Sequence, residues 1–211
     1  MNNPIQTISA VATITPLKIM VASTVYHFED HLLQICGVLR NYGYHVLNSH
    51  AGTIHIPPGN SNLQACLKAV EECDLFLGII RPFYGSGKIG ERSITHEEIL
   101  HAVKLNKPRW FLAHTHVTFT RQFMRQYLFT KKGQRRKKQP VFKKTPVFDD
   151  LRVLEMYDDA IQAHVPIEKR ASHWAQEYFH LSDAFVFIET QFRDVSKVRD
   201  ALHIGGHHDK K

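Results

Sequence analysis

The sequence lacks the long apolar run that a membrane-spanning helix requires. Crossing a bilayer takes about 20 consecutive, predominantly apolar residues, and no stretch of this 211-residue chain approaches that length. The first residues, Met1 to Pro16, also lack the basic region followed by an apolar stretch that marks a secretory signal. These absences argue against a membrane or secreted protein, and we expect a cytoplasmic location.

Cysteine is scarce, and histidine is scattered. The three cysteines, Cys36, Cys66 and Cys73, show no paired spacing. Cys66 and Cys73 lie seven residues apart, which on a helix places both on one face, and a buried, reduced pair fits a reducing compartment. The fifteen histidines do not combine with cysteines in the spacing of a metal site. We therefore predict neither a metal nor a bound cofactor.

Positive charge is concentrated in one short segment. The formal net charge is +7, but eight basic residues and no acidic one lie between Lys131 and Lys144, so the rest of the chain would carry −1. Clusters of lysine and arginine can bind the phosphate backbone of a nucleic acid. Such runs are also typical of solvated loops, and only Phe142 adds an aromatic ring here. Both interpretations of Lys131–Lys144 remain open at this point.

Short apolar runs alternate with helical patterns in the first half of the chain. The predicted strands are residues 18–23, 45–49, 75–80 and 109–113, and the predicted helices between them are residues 30–42, 63–73 and 95–105. Four such alternations predict an α/β fold: a three-layer, doubly wound, flavodoxin-like domain with a mainly parallel sheet of four to five strands.

The regular alternation of predicted strands and helices ends near Thr118, and extra C-terminal helices are expected after it. Helical patterns cover residues 119–129 and 149–162, a short edge strand is predicted at 173–179, and Ser182 and Asp183 should cap a helix running to Phe192 and continued by residues 195–202. We treat residues 17–204 as a single domain with a basic loop at 131–146. Residues 1–16 are expected to form a flexible leader and residues 205–211 a disordered tail.

Polar residues gather where the strands of such a sheet end, which is where open parallel sheets bind their ligands. Ser23 and Thr24 follow the first strand, a glycine-rich loop follows the third, and Ser93 to Glu98 open the next helix. The candidate nucleotide-binding residues are Ser23, Thr24, Arg81, Tyr84, Gly85, Ser86 and Ser93.

Several of these residues also have a structural interpretation. Arg81 could contact a phosphate or pair with a surface carboxylate, and its place at a strand end favours phosphate. Ser23 and Thr24 could bind a ribose or satisfy the backbone of a turn. The loop 85–90 could admit a phosphate near its backbone, although it matches no strong phosphate motif. His96 is expected to face solvent.

Glu98 is the best candidate for a catalytic residue. Cleavage at the anomeric carbon of a sugar builds oxocarbenium character, which a nearby carboxylate can stabilise. The nicotinamide of NAD is a cationic leaving group that departs neutral, so one glutamate suffices. The alternative is a capping box, in which Thr95 caps the helix and Glu98 reaches back to its backbone, a role that contributes about 1 kcal/mol.

Six segments, in this order, closely resemble the bacterial domain of unknown function four-zero-six-two (DUF4062). They are KIMVAS (18–23), TVY (24–26), ED (29–30), CDLFLGII (73–80), YGSG (84–87) and SITHEE (93–98), within a resemblance that covers about residues 17–115. That family looks like a distant relative of TIR domains and nucleoside 2-deoxyribosyltransferases. The resemblance implies a TIR-like fold, a nucleotide or nucleoside ligand, a role in signalling or defence, and self-association.

The same resemblance implies a role for Glu98. The segment EILHA (98–102), followed by Lys107-Pro108 and a strand, is similar to the one in which NAD-cleaving TIR domains and the transferases carry their glutamate. Arg81-Pro82 stands where the transferases usually have an acidic residue, which favours glycosidic cleavage over transfer. We therefore expect cleavage of NAD, as substrate rather than cofactor. The alternatives are a non-catalytic signalling or interaction module, or a nucleic-acid-associated protein that uses Lys131–Lys144.

Overall fold

A computed structural model describes residues 15–85, 92–130, 136, 141–170 and 174–205, with side chains of the last helix up to residue 202. Several sequence predictions therefore lie outside the described residues. These are the leader up to residue 14, Ser86 and the rest of the glycine-rich loop to residue 91, most of the basic segment between 131 and 140, and the tail after residue 205.

Five parallel strands form one sheet in the order β2-β1-β3-β4-β5. The strands are β1 (Lys18–Ser23), β2 (His45–Leu47), β3 (Leu75–Ile80), β4 (Arg109–His114) and β5 (Ala175–Tyr178). Every residue of β3 is buried, as the near-continuous apolar run of a central parallel strand predicts. The predicted doubly wound α/β fold is confirmed.

Helices cover both faces of the sheet. They are α1 (Glu29–Asn41), α2 (Asn62–Glu72), α3 (Ile94–Lys104), α4 (Thr115–Leu128), α5 (Arg152–Ala160), α6 (Leu181–Phe192) and α7 (Val195–Gly205). Buried residues of α2, α3 and α5 pack with Phe76 and Phe111 on one face. Those of α1 and α6 pack with Ile19 and Leu77 on the other. The result is three layers with an apolar core on each side of the sheet.

The register of the strands determines where the loops begin. Ser23 lies beside Ile79, and Ile80 lies beside Ala113. The carboxyl ends of β1, β3 and β4 are therefore level, and the chain leaves all three at the same edge of the sheet. This shared edge is what brings distant polar segments together.

Three predicted helix starts are wrong, because polar groups before each helix form turns or caps. The helix α4 begins at Thr115, four residues before the predicted residue 119, and His114 Nδ1 caps it by accepting from His116 N at 3.1 Å. Residues 149 and 150 precede α5 instead of belonging to it: Asp149 N donates to Pro82 O, and Asp150 accepts from Arg152 N. The helix α6 begins after His180, and Asp183 accepts from the backbone N–H of His180 at 2.9 Å. Asp183 thus takes part in capping this helix, but it is the third residue of the helix and not the cap residue itself.

The three cysteines are free and buried, as predicted for Cys66 and Cys73. Within the described ranges, no group of three or more histidine, cysteine or carboxylate side chains is arranged to hold a metal ion. None of the helices in those ranges has the length and apolar character needed to cross a bilayer.

Candidate functional site

A cavity of about 530 Å³ lies at the carboxyl edge of the sheet, within the size range of small-molecule sites. The end of β1, the loops after β1 and β3, and the starts of α2 and α3 form its walls. Of the predicted site residues, Ser23, Thr24, Gly85 and Glu98 line it. A larger cavity of about 760 Å³ lies beside Trp110 and Trp174. The smaller cavity is the better candidate because it holds a buried carboxylate.

That carboxylate belongs to Glu98, whose side chain is only 3% exposed. Burial raises its pKa from the ordinary 4.5 to about 7, because desolvation disfavours the charged form; a hydrogen bond with the Cys66 side chain acts in the opposite direction. Near neutral pH, Glu98 is therefore present in both protonation states. A carboxyl group with this property in a cleft is a candidate for chemistry.

Ser93, not Thr95, caps the helix that carries Glu98. Its backbone is extended (φ −68°, ψ 157°), and its hydroxyl accepts a hydrogen bond from His96 N at 3.3 Å. The helix therefore begins at Ile94, and Glu98 is its fifth residue, two residues beyond the third position that a capping box uses. The capping interpretation of Thr95 and Glu98 is wrong, and the burial of Glu98 must have another reason.

Thr24 presents an unsatisfied hydroxyl at the cavity. It lies directly after β1 and is buried, and its Oγ1 has no hydrogen-bond partner among the residues that the structure describes. Its neighbour Ser23 is satisfied locally, since its hydroxyl donates to Thr24 O at 3.2 Å. A buried polar atom without a partner is unfavourable, and a ligand atom in the cavity could supply the missing hydrogen bond.

Gly85 brings the loop after β3 close to Thr24. Its φ of +90° lies in the region that favours glycine. A Cβ atom at this position would lie 3.0 Å from Thr24 Oγ1 and 3.2 Å from its Cγ2, which is tighter than ordinary packing. Only glycine therefore lets this wall of the cavity approach the end of β1 so closely.

The structure gives Arg81 a different role from the predicted phosphate contact. Its guanidinium donates to the carbonyl oxygens of Thr24 at 3.2 Å, Tyr26 at 2.6 Å and His27 at 3.3 Å. It also lies 4.4 Å from the centroid of the Phe28 ring. Arg81 is buried and does not line the cavity. Its function is to hold the loop after β1, which forms one wall of the site.

Tyr84 and His96 do not line the cavity, but their contact connects two of the elements that form its walls. The Tyr84 hydroxyl lies 2.8 Å from His96 Nδ1, and His96 Nε2 lies 2.9 Å from Asp159 Oδ2. His96 is 1% exposed, so the prediction that it faces solvent is wrong. Its partner Asp159 lies on α5, 63 residues away in the chain, which no local pattern could indicate. Neither Tyr84 nor the cap residue Ser93 lines the cavity.

A family model described as "Domain of unknown function (DUF4062)" matches residues 18–172. The chain belongs to the DUF4062 family. The match includes the sheet up to β4, every candidate site residue and the segment that leads into α5, and so extends well beyond the resemblance seen in the sequence. No curated protein sequence matches the chain.

Among the residues that the sequence analysis missed, three bring aromatic rings and a positive charge to the cavity of this DUF4062 domain. Tyr26 and Phe83 line it from the loops after β1 and β3, with ring centroids 5.8 Å apart. Their positions follow the strand-end rule, which could have found them. Lys144 lines it from the end of the basic segment, 46 residues beyond Glu98 along the chain. No sequence signal indicated that this lysine reaches the site.

Proposed function

We propose that this DUF4062 domain cleaves the N-glycosidic bond of a nucleotide or nucleoside, with NAD as substrate and Glu98 as the catalytic carboxylate. One observation carries the proposal: a buried glutamate, free of any capping role, lines a ligand-sized cavity at the carboxyl edge of a parallel sheet. The resemblance of its segment to that of NAD-cleaving TIR domains supports the same assignment.

The proposed reaction requires one negatively charged side chain from the protein and little else. When the bond between nicotinamide and ribose breaks, its electron pair passes to the ring nitrogen, and nicotinamide leaves neutral. The sugar carbon becomes cationic, and the Glu98 carboxylate stabilises that charge. Water then bonds to the same carbon and releases a proton. Because Glu98 is shielded from solvent, its charge acts more strongly than it would in water.

The raised pKa of Glu98 gives the proposed reaction a pH dependence. With a pKa of about 7, the carboxylate is the minor form at pH 6 and the major form at pH 8. The carboxylate is the form that stabilises a cation, so kcat/KM for NAD should rise across this range. A rate that falls from pH 6 to pH 8 would contradict the role assigned to Glu98.

The test is release of nicotinamide from NAD by the purified protein, followed by chromatography. The resemblance to TIR domains implies self-association, so the protein is assayed at high as well as low concentration, and nucleosides are tested beside NAD. Glu98→Gln keeps the shape but removes the charge, and we expect a loss of about 3 kcal/mol in transition-state stabilisation, over a hundredfold in rate.

Glu97→Gln is the matched control. Glu97 is adjacent in the chain, loses the same charge, pairs with Arg92 at 3.7 Å and does not line the cavity. Its activity should stay close to that of the unmodified protein. Equal activity in Glu98→Gln would remove Glu98 from the mechanism. No turnover by the concentrated protein would favour a non-catalytic interaction module.

A further inference from the structure

Lys144 is the only cationic side chain among the described residues that line the cavity. Its Nζ lies 5.7 Å from the centroid of the Tyr26 ring, at the mouth of the site. The charged side chains that share this lining are carboxylates: Glu29, Glu98 and Asp149. A lone ammonium group in such a lining provides a single point at which an anionic group of a ligand can be held.

A turn anchored in the core positions Lys144. The hydroxyl of Thr145, the next residue, accepts from Phe148 N at 2.9 Å, and Thr145 N donates to Phe148 O at 2.9 Å. Phe148 is buried, and the Phe142 ring packs against it at 5.9 Å between centroids. Lys144 is itself exposed, but in the chain it lies between two aromatic residues that pack together, and this packing restrains its backbone.

The end of this turn is fastened to the cavity wall itself. Asp149 N donates to Pro82 O at 3.2 Å, and Asp149 Oδ1 accepts from Tyr84 N at 2.8 Å. These bonds tie the segment that bears Lys144 to the loop after β3. The position of the ammonium group relative to the cavity is therefore set by tertiary structure.

The side chains near Lys144 are suited to bind a heterocyclic base that lies next to a phosphate. Tyr26 is 52% exposed, and its ring stands edge-on to that of Phe83. Exposed aromatic faces favour stacking of heterocyclic bases. Further in, the unpaired Thr24 hydroxyl offers a partner for a sugar oxygen.

We propose that Lys144 makes this cavity selective for phosphorylated ligands, so that its substrates are nucleotides rather than free nucleosides. The inference rests on the proposed function for the place where the ligand binds. It also gives this end of the basic segment a role in the site, because Lys144 then contacts a small-molecule phosphate.

The test compares ligands that differ only in a phosphate. The probes are nicotinamide mononucleotide against nicotinamide riboside, and AMP against adenosine. They are titrated calorimetrically into the 211-residue Glu98→Gln protein, in which turnover is suppressed. We expect each phosphorylated ligand to bind about tenfold more tightly than its partner, the factor that one hydrogen bond to a charged group provides. Adding Lys144→Gln should abolish this preference.

Lys143→Gln is the control, because Lys143 is exposed like Lys144 and loses the same charge but does not line the cavity. The preference should persist in that variant. The inference would be overturned if the Glu98→Gln parent bound phosphorylated and unphosphorylated ligands equally, or bound no probe at all. It would also be overturned if the preference for phosphorylated ligands survived Lys144→Gln, or if Lys143→Gln reduced that preference as much as Lys144→Gln does. A Lys144-dependent preference without nicotinamide release from NAD by the unmodified protein would preserve it while refuting the proposed reaction.

Discussion

The Tyr84 hydroxyl lies 2.8 Å from Nδ1 of the buried His96, and this contact connects two walls of the cavity. Tyr84 precedes Gly85, which presses against Thr24, and His96 lies two residues before Glu98 on α3. The other ring nitrogen of His96 reaches Asp159 on α5 at 2.9 Å. The loop after β3, the start of α3 and α5 are therefore joined by one chain of hydrogen bonds behind the cavity.

Tyr84→Phe should destabilise the protein, because it leaves His96 Nδ1 buried without its partner. Loss of one partner of a buried hydrogen bond costs about 1–3 kcal/mol in the free energy of unfolding, measurable by urea denaturation. Tyr26→Phe is the control: its side chain is half exposed at the cavity mouth, so removal of its hydroxyl should change stability by less than about 0.5 kcal/mol. Equal stability of the two variants would contradict the structural role of Tyr84.

The free energy of unfolding of Glu98→Gln, relative to that of the unmodified protein, should increase as the pH rises. Burial raises the pKa of Glu98 to about 7, above its ordinary 4.5. The folded state therefore holds the proton more tightly than the unfolded state. The resulting stability is fully present below pH 4.5 and is lost as the pH rises through about 7.

Glutamine does not titrate, so the difference in melting temperature between Glu98→Gln and the unmodified protein should increase from pH 5 to pH 8. Thermal unfolding at four pH values, in buffers of constant ionic strength, checks this expectation. A difference that is constant across the range would show that Glu98 has no raised pKa in the folded protein.

Arg81→Lys should destabilise the protein although the charge is retained. A lysine has one nitrogen and cannot present the planar fork that reaches the carbonyls of Thr24, Tyr26 and His27. Loss of hydrogen bonds from a charged donor should lower the free energy of unfolding by about 1.5–3 kcal/mol.

Arg193→Lys provides the comparison for Arg81. Its exposed pair with Glu189 should contribute at most about 1 kcal/mol. If denaturation shows the two lysine variants to be equally stable, the contacts of Arg81 do not hold the loop after β1.

Comparison of Gly85→Ala with Gly59→Ala distinguishes the effect of backbone strain from the effect of close contact with Thr24. Both glycines have φ of +90°, so alanine should destabilise each by about 1 kcal/mol or more. No atom of the described residues lies within 4 Å of a Cβ placed at Gly59, whereas a Cβ at Gly85 would contact Thr24. Gly85→Ala should therefore lose more stability and also weaken nucleotide binding. Identical effects on both properties would show that the contact with Thr24 is unimportant.

The order of strands and helices, and the edge where polar residues gather, could be predicted from the sequence. The bounds of β1 and β3 were predicted to the residue, because each is a short apolar run between polar residues. Because parallel strands connected by crossover helices have their following loops at one edge, the sequence predicts one cleft bordered by Ser23, Thr24, Arg81, Tyr84 and Glu98. Ser23, Thr24 and Glu98 line the cavity, whereas Arg81 and Tyr84 do not.

The roles of individual polar side chains at that edge depended on tertiary structure. Arg81 contacts carbonyl oxygens more than 50 residues away, and His96 contacts a carboxylate 63 residues away. Lys144 reaches the cavity through a turn fastened to the loop after β3. Periodicity and turn residues are properties of neighbouring positions, so the sequence alone determined the fold class and the location of the site. Whether a buried polar group contacts backbone, another side chain or an open cavity depends on which distant segments pack against it, and only the folded chain decided that.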